Sequence, residues 1–130
     1  VEYVARGCAP ELAKRLVDVN ETPVSPELLP GAQHTEAIIG KYDLHDFFLY
    51  FFLKYGETPQ NILELAYSAF DGLYSREEIA STLQLFYRRF FSQQFKRNAM
   101  PDGPKVGTIA LSPRGDWRMP ADASQEAFRV

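Results

Sequence analysis

The sequence has a single cysteine, Cys8, two histidines and no long apolar run. One thiol cannot close an intrachain disulfide, and no cysteine or histidine cluster has zinc-site spacing, so a reducing compartment and a cytoplasmic protein are expected. Cys8 has no context of a catalytic nucleophile. His34 and His45 lack a metal-spaced partner, and His45 reads as a surface or capping residue rather than a base. The longest apolar stretch, Phe47 to Leu53, falls far short of the roughly 20 residues a membrane-spanning helix needs. No charged-then-apolar leader opens the chain. Internal repeats and low-complexity tracts are missing too, and the expectation is a soluble protein without a membrane partner.

What is present is apolar and aromatic. The chain has 130 residues, 45% of them hydrophobic and 14% aromatic, which suffices for one core and is too much for a disordered segment. The net charge of −3 is unevenly spread: residues 1 to 87 carry six basic and thirteen acidic side chains. From Arg88 to Arg118 the balance reverses, with Arg88, Arg89, Lys96, Arg97, Lys105, Arg114 and Arg118 against Asp102 and Asp116. A basic, aromatic tract in an acidic chain points to an anionic ligand there.

The apolar periodicity is helical. Val1 to Arg6 reads as the last turns of a helix already under way, as in a piece of a longer polypeptide. Glu11 to Val19 places Leu12, Leu16 and Val19 on one face, with Pro10 in a first turn where its missing N–H costs nothing. Asp43 can cap a helix over Leu44 to Tyr55, whose Leu44, Phe47, Phe48, Phe51 and Phe52 form a wide apolar surface, and Gly56 suits a left-handed C-cap. Thr58-Pro59 opens the next helix, with Ile62, Leu65, Ala66, Ala69 and Phe70 inward and Asp71-Gly72 as its break. Ser75-Arg76-Glu77-Glu78 is a capping box. The stripe Ile79, Leu83, Phe86, Phe90 and the parallel row Tyr87, Phe91, Phe95 predict one helix from Arg76 to Arg97, with Arg89, Gln93 and Lys96 on a polar face. The stripe reads as packing.

Beyond Asn98 prolines and glycines punctuate the chain; Val106 to Leu111 is a candidate short strand and the rest an irregular, ligand-facing loop. Residues 20–42 form a second long irregular segment, and two such segments in so small a chain point to binding.

Several motifs stand in one order: Val24-Ser25-Pro26-Glu27-Leu28-Leu29-Pro30, Tyr42-Asp43-Leu44-His45-Asp46-Phe47, Arg89-Phe90-Phe91-Ser92-Gln93-Gln94-Phe95-Lys96-Arg97, Pro101-Asp102-Gly103-Pro104-Lys105-Val106, and Leu111-Ser112-Pro113-Arg114-Gly115-Asp116-Trp117-Arg118. Over about residues 20 to 123 they resemble the C-terminal end of the glutamine-dependent NAD synthetase family. The resemblance implies a mainly α layout: a helical C-terminal segment of a Rossmann-like, adenine nucleotide alpha hydrolase-like α/β synthetase domain, with irregular ligand-facing loops. Residues 1–19 are then a helical lead-in, 20–42 a nucleotide-side loop, 43–98 three helices and 99–130 an irregular tail.

The implied activity is an ATP-dependent amide ligase. With magnesium on the phosphates, ATP adenylates the nicotinate carboxylate of deamido-NAD, and glutamine-derived ammonia displaces AMP to give NAD. Neither the Glu, Lys and Cys set of the family's glutaminase domain nor its Ser-Gly-Gly-x-Asp-Ser pyrophosphate loop has a counterpart in this sequence. The resemblance therefore implies an inactive piece on its own, with no catalytic residue and no metal ligand of its own. It would be partnered by the rest of a parent chain in a homo-oligomer.

By residue, the resemblance implies that Ser25, in Val-Ser-Pro-Glu-Leu, contacts ATP, and that Lys96 with Phe95, in Phe-Lys-Arg, contacts deamido-NAD. The stretch Pro30 to Thr35 is shorter than the family loop that closes over the nucleotides. Read without the family, Ser25 is a turn or cap, and Lys96 and Arg97 are solvated charges at a helix end. Arg114 and Arg118 flank Trp117, where they could stack and pair with carboxylates of a neighbouring domain. Two other readings of the chain are a helical interaction or dimerisation module and a single-stranded nucleic-acid binder. The acidity of residues 1 to 87 opposes a polyanion, so no nucleic-acid partner is expected.

Overall fold

The structure, a computed structural model, describes residues 2–22 and 35–129. The chain divides into two compact units, residues 1–35 and 36–130.

In the first unit, helices α1 (Glu2–Ala5) and α2 (Pro10–Glu21) pack on each other. Pro10 occupies the first turn of α2, as the sequence predicts, and Thr22 closes it by donating from its hydroxyl to Asp18 O at 3.0 Å. The apolar face of α2 is left open: Leu12 and Val19 are exposed, and Ala5 alone is buried among the described side chains of this unit.

Helix α3 (Thr35–Ile39), a short helix within the stretch expected to be irregular, leads into the second unit, which starts at Glu36. Gly40 ends it at φ +90, and α4 (Tyr42–Leu49) follows. Asp43 is inside the first turn of α4 rather than at its N-cap, which is Lys41; its carboxylate accepts from the Leu44 N–H at 2.9 Å and from the Tyr74 hydroxyl at 2.8 Å. His45 acts as a cap, its Nε2 lying 2.6 Å from the Ile39 carbonyl at the end of α3.

The segment expected to be α-helical to Tyr55 changes to a π turn over Tyr50–Tyr55, which Gly56 ends in the left-handed region at φ 67 and ψ 30. Helices α5 (Pro59–Ala69) and α6 (Arg76–Ser92) start where predicted. Thr58 Oγ1 accepts from the Asn61 N–H at 3.3 Å and Ser75 Oγ from the Glu78 N–H at 3.1 Å.

Helix α6 packs against both α4 and α5, because its apolar side chains recur at three and four residues and two neighbours cover them. Ile79, Leu83, Phe86, Tyr87, Phe90 and Phe91 are buried with Leu44, Phe48, Phe52, Ile62 and Ala66. The aromatic stripe is thus core. On α5 the inward face is rotated from the expected one: Leu65 and Ala69 are exposed, while Leu63 and Tyr67 pack on the core beside Phe70.

Two corrections fall at the chain's C-terminal side. The single helix predicted to Arg97 breaks at Gln93, giving α6 and a separate α7 (Gln94–Asn98). Val106 to Leu111 forms no strand; among the described residues there is none, and Val106 is 97% exposed. With no neighbouring strand to satisfy its backbone, a short β-prone run has no reason to extend. The tail is irregular apart from one 3-10 turn, Glu126–Phe128, but it is not loose. Trp117 packs edge-on to Phe52 and Phe90 at ring distances of 5.5 and 5.2 Å, and Phe128 stacks on Tyr87 at 5.3 Å.

Two expectations follow. A Cβ on Gly40 would stand 2.9 Å from Thr82 Cγ2 at a φ that L side chains avoid. Gly40→Ala should therefore cost about 1–3 kcal/mol, read as a lower urea midpoint; an unchanged midpoint would show that α3 and α6 are not so closely packed. The Tyr87 hydroxyl is buried without a hydrogen-bond partner, and burial pushes its pKa up to about 12. The folded state thus holds this proton more tightly than the unfolded chain, whose tyrosines titrate near 10. The stability that this provides is complete below roughly pH 10 and is lost as pH rises through about 12. Tyr87→Phe should remove that alkaline sensitivity with little loss of stability at neutral pH. Thermal melts of both proteins from pH 8 to 12 check it.

Candidate functional site

The candidate site is the junction of α6 and α7, where the basic tract begins. It arises from a conflict in the stripe. Four residues after Phe90, the position facing the core holds Gln94, which is fully buried (0% exposed). An amide there needs partners. Gln94 Nε2 donates to Met119 O in the tail at 3.2 Å, and Gln94 Oε1 accepts from Arg97 Nε at 2.7 Å. The helix gives way one residue earlier, at Gln93, with φ −100 and ψ 15.

The break sets the directions of three side chains. Arg97 turns inward: besides Gln94 it donates through Nη2 to the carbonyl of Phe90, and its guanidinium lies over the Phe90 ring, 4.3 Å from the centroid. Phe90 O is in the last turn of α6, where carbonyls have no intrahelical donor, so Arg97 completes that helix end. Partial burial lowers the pKa of Arg97 from the ordinary guanidinium value. Phe95, expected as the last residue of the apolar stripe, is instead 56% exposed, and Lys96 beside it is exposed. Of the predicted site residues, the structure therefore brings Phe95 and Lys96 together at one exposed turn. Ser25 lies outside the described residues, as do His34 and the Pro30 end of the short loop.

Within the basic tract, several of the described cations are without an ion pair. Among the described residues no carboxylate pairs with Arg88, Arg89, Lys96 or Arg118. Arg118 follows Trp117, which is packed on Phe90, and precedes Met119, which is bonded to Gln94; the tail backbone thus runs beside the junction at this residue.

The other cations are engaged within their own segment. Arg114 Nε pairs with Asp102 at 2.6 Å and its Nη2 donates to Met100 O, so the pairing with a neighbouring domain considered for Arg114 is met inside the tail. Lys105 lies 2.7 Å from Asp116. That contact, and a hydrogen bond from the Ala110 N–H at 2.8 Å, hold the Asp116 carboxyl below the ordinary carboxylate range. Both pairs are exposed, and exposed pairs contribute only tenths of a kcal/mol up to about 1; together they fold residues 100–116 back on themselves. Trp117, between Arg114 and Arg118, serves the core rather than stacking with either.

Sequence reasoning missed Gln94 and Arg97. The available signal was a glutamine four residues after Phe90 in an otherwise apolar stripe, with an arginine three residues further on. That spacing puts both on one side of a helical turn. Among the described residues, no group of three His, Cys, Asp or Glu side chains could hold a metal ion, and no helix is long and apolar enough to cross a membrane.

No protein-family model matches the chain. Individual relatives do. It is 41% identical to the glutamine-dependent NAD(+) synthetase of Mycobacterium leprae (strain TN) over 88% of this chain and 20% of that protein. It is 42% identical to the proteins of that name from Mycobacterium bovis (strain ATCC BAA-935 / AF2122/97) and Mycobacterium tuberculosis (strain ATCC 25618 / H37Rv), over 84% of this chain and 19% of each. The chain spans about a fifth of the length of these relatives. By these identities, the chain matches the C-terminal part of proteins named glutamine-dependent NAD(+) synthetase.

Proposed function

We propose that this chain is the C-terminal segment of a glutamine-dependent NAD synthetase, a cytoplasmic ATP-dependent ligase that converts deamido-NAD to NAD through an adenylated intermediate. Its contribution is to binding rather than to bond making. Lys96 offers a point positive charge to a phosphate or carboxylate of the dinucleotide, and Phe95 offers a flat apolar face beside it. The observation that carries this reading is the break at Gln93, which leaves Phe95 and Lys96 exposed next to each other while Arg97 is drawn into the fold. On α7, just past the six buried apolar side chains of α6, Phe95 is 56% exposed and free to meet a ligand.

ATP and magnesium would be held elsewhere in the parent enzyme, with Ser25 as this chain's ATP contact. The α/β synthetase core would come from the rest of the parent, and no chemical step runs through the residues described above. Ammonia from glutamine would reach the site from a separate glutaminase domain. The nucleic-acid reading is disfavoured because stacking needs aromatic faces in the open, and those of α6 are buried.

In the full-length synthetase, Lys96→Ala should lower kcat/KM for deamido-NAD by roughly 10- to 100-fold, the usual worth of a charged hydrogen bond, while KM for ATP is unchanged. Steady-state kinetics with each substrate varied in turn decides; wild-type values would reduce Lys96 to a helix-end charge. The 130-residue chain alone should make no NAD from deamido-NAD, ATP and ammonia, which a coupled dehydrogenase assay reads directly. With Tyr3, Leu12 and Val19 uncovered in the first unit and Leu65, Leu73 and Val106 in the second, it should also self-associate. A single monomer species on sedimentation at high concentration would contradict that.

A further inference from the structure

The residue after the proposed ligand lysine is the unusual one. Arg97 is a cation in a basic tract, yet it is partly buried, with Nε and Nη2 donating to Gln94 and Phe90 and its flat face over the Phe90 ring. A helix of five residues such as α7 cannot hold its own orientation, since helix formation is cooperative and short helices are marginal in water. Its direction must be set from outside. Contacts to its neighbours do so: Arg97 reaches back to the Phe90 carbonyl and ring on α6, and Gln94, which accepts from Arg97 inside α7, donates to Met119 O in the tail. Successive helical residues project about 100° apart, so fixing the direction of Arg97 fixes that of Lys96.

We infer that Arg97 is a positioning residue for Lys96. It ties the last turn of α6 to α7, and so holds the break at Gln93 in the arrangement that presents Lys96 and Phe95 to the dinucleotide. This rests on the reading of Lys96 as the deamido-NAD contact. Lysine cannot replace Arg97, because an ammonium has neither the flat face for the Phe90 ring nor a fork that reaches a carbonyl and an amide oxygen at once. Arg97 does not touch the ligand in this arrangement; its effect passes through Lys96.

The test is a double-mutant cycle in the full-length synthetase, comparing wild type, Lys96→Ala, Arg97→Ala and the double variant, with KM for deamido-NAD, KM for ATP and kcat measured separately. Arg97→Ala should raise KM for deamido-NAD on the order of tenfold and leave the other two parameters within about twofold, and the double variant should be no worse than Lys96→Ala alone. Losses that add in the double variant would overturn the inference, because Arg97 would then act independently of Lys96. An Arg97→Ala enzyme with wild-type KM would overturn it too, as would an equal loss in all three parameters, which marks general damage to the fold. If Lys96→Ala is itself silent, the reading beneath the inference fails. Should Arg97→Ala not fold, Arg97→Lys, which keeps the charge and the aliphatic stem, must show the same selective rise in KM for deamido-NAD.

Discussion

Phe52 is where the parts of the second unit meet. Its ring lies within 5.2 to 6.3 Å of five other aromatic rings: Phe86, Tyr87 and Phe90 on α6, and Trp117 and Phe128 in the tail. Four of the five are edge-on within 5.7 Å, the arrangement in which the positive rim of one ring meets the negative face of the next. Phe52 sits on the π turn, so a local departure from α-helical geometry carries a side chain that meets both α6 and the tail.

The tail is held to the helices by side chains rather than by backbone pairing. With no strand among the described residues, its attachment to the helices rests on the side chains of Leu111, Trp117, Met119, Ala123 and Phe128 packed on the core and on two side-chain amides: Gln94 donating to Met119 O and Gln60 donating to Arg129 O at 3.2 Å. Gln94 therefore has two duties. One end of its amide holds the tail and the other holds Arg97, so the junction that exposes Lys96 and the docking of residues 117–119 share a single buried side chain.

Much of the helical layout was legible in the sequence because its signals are local. Thr58 and Ser75 bond to amides three residues on, and Gly56 needs only its own freedom at positive φ; none of these depends on distant partners. The core positions Leu44, Phe48, Ile62, Ile79 and Leu83 followed from period alone. The errors came where a distant partner decides. A continuous helix to Arg97 satisfies every propensity, and only the demand of Gln94 for Met119 and Arg97, 25 and 3 residues away, accounts for its interruption. Lys96 and Arg97 look alike as a charged pair at a helix end, and only the three-dimensional position of Phe90 distinguishes the inward cation from the outward one. The β-prone run Val106 to Leu111 failed for the complementary reason, since pairing requires a neighbour that this fold does not place there.

The chain contains one tryptophan. Trp117 is wedged against Phe52 and Phe90, and its indole N–H is buried without a hydrogen-bond partner. An indole in such surroundings emits at shorter wavelength than one in water, and no second indole within these residues obscures it. The protein thus carries its own optical gauge, two residues from Met119, of whether the tail is seated on the helices. Any event that lifts the tail from the α6 and α7 junction would be written in the colour of that emission before it showed in helix content.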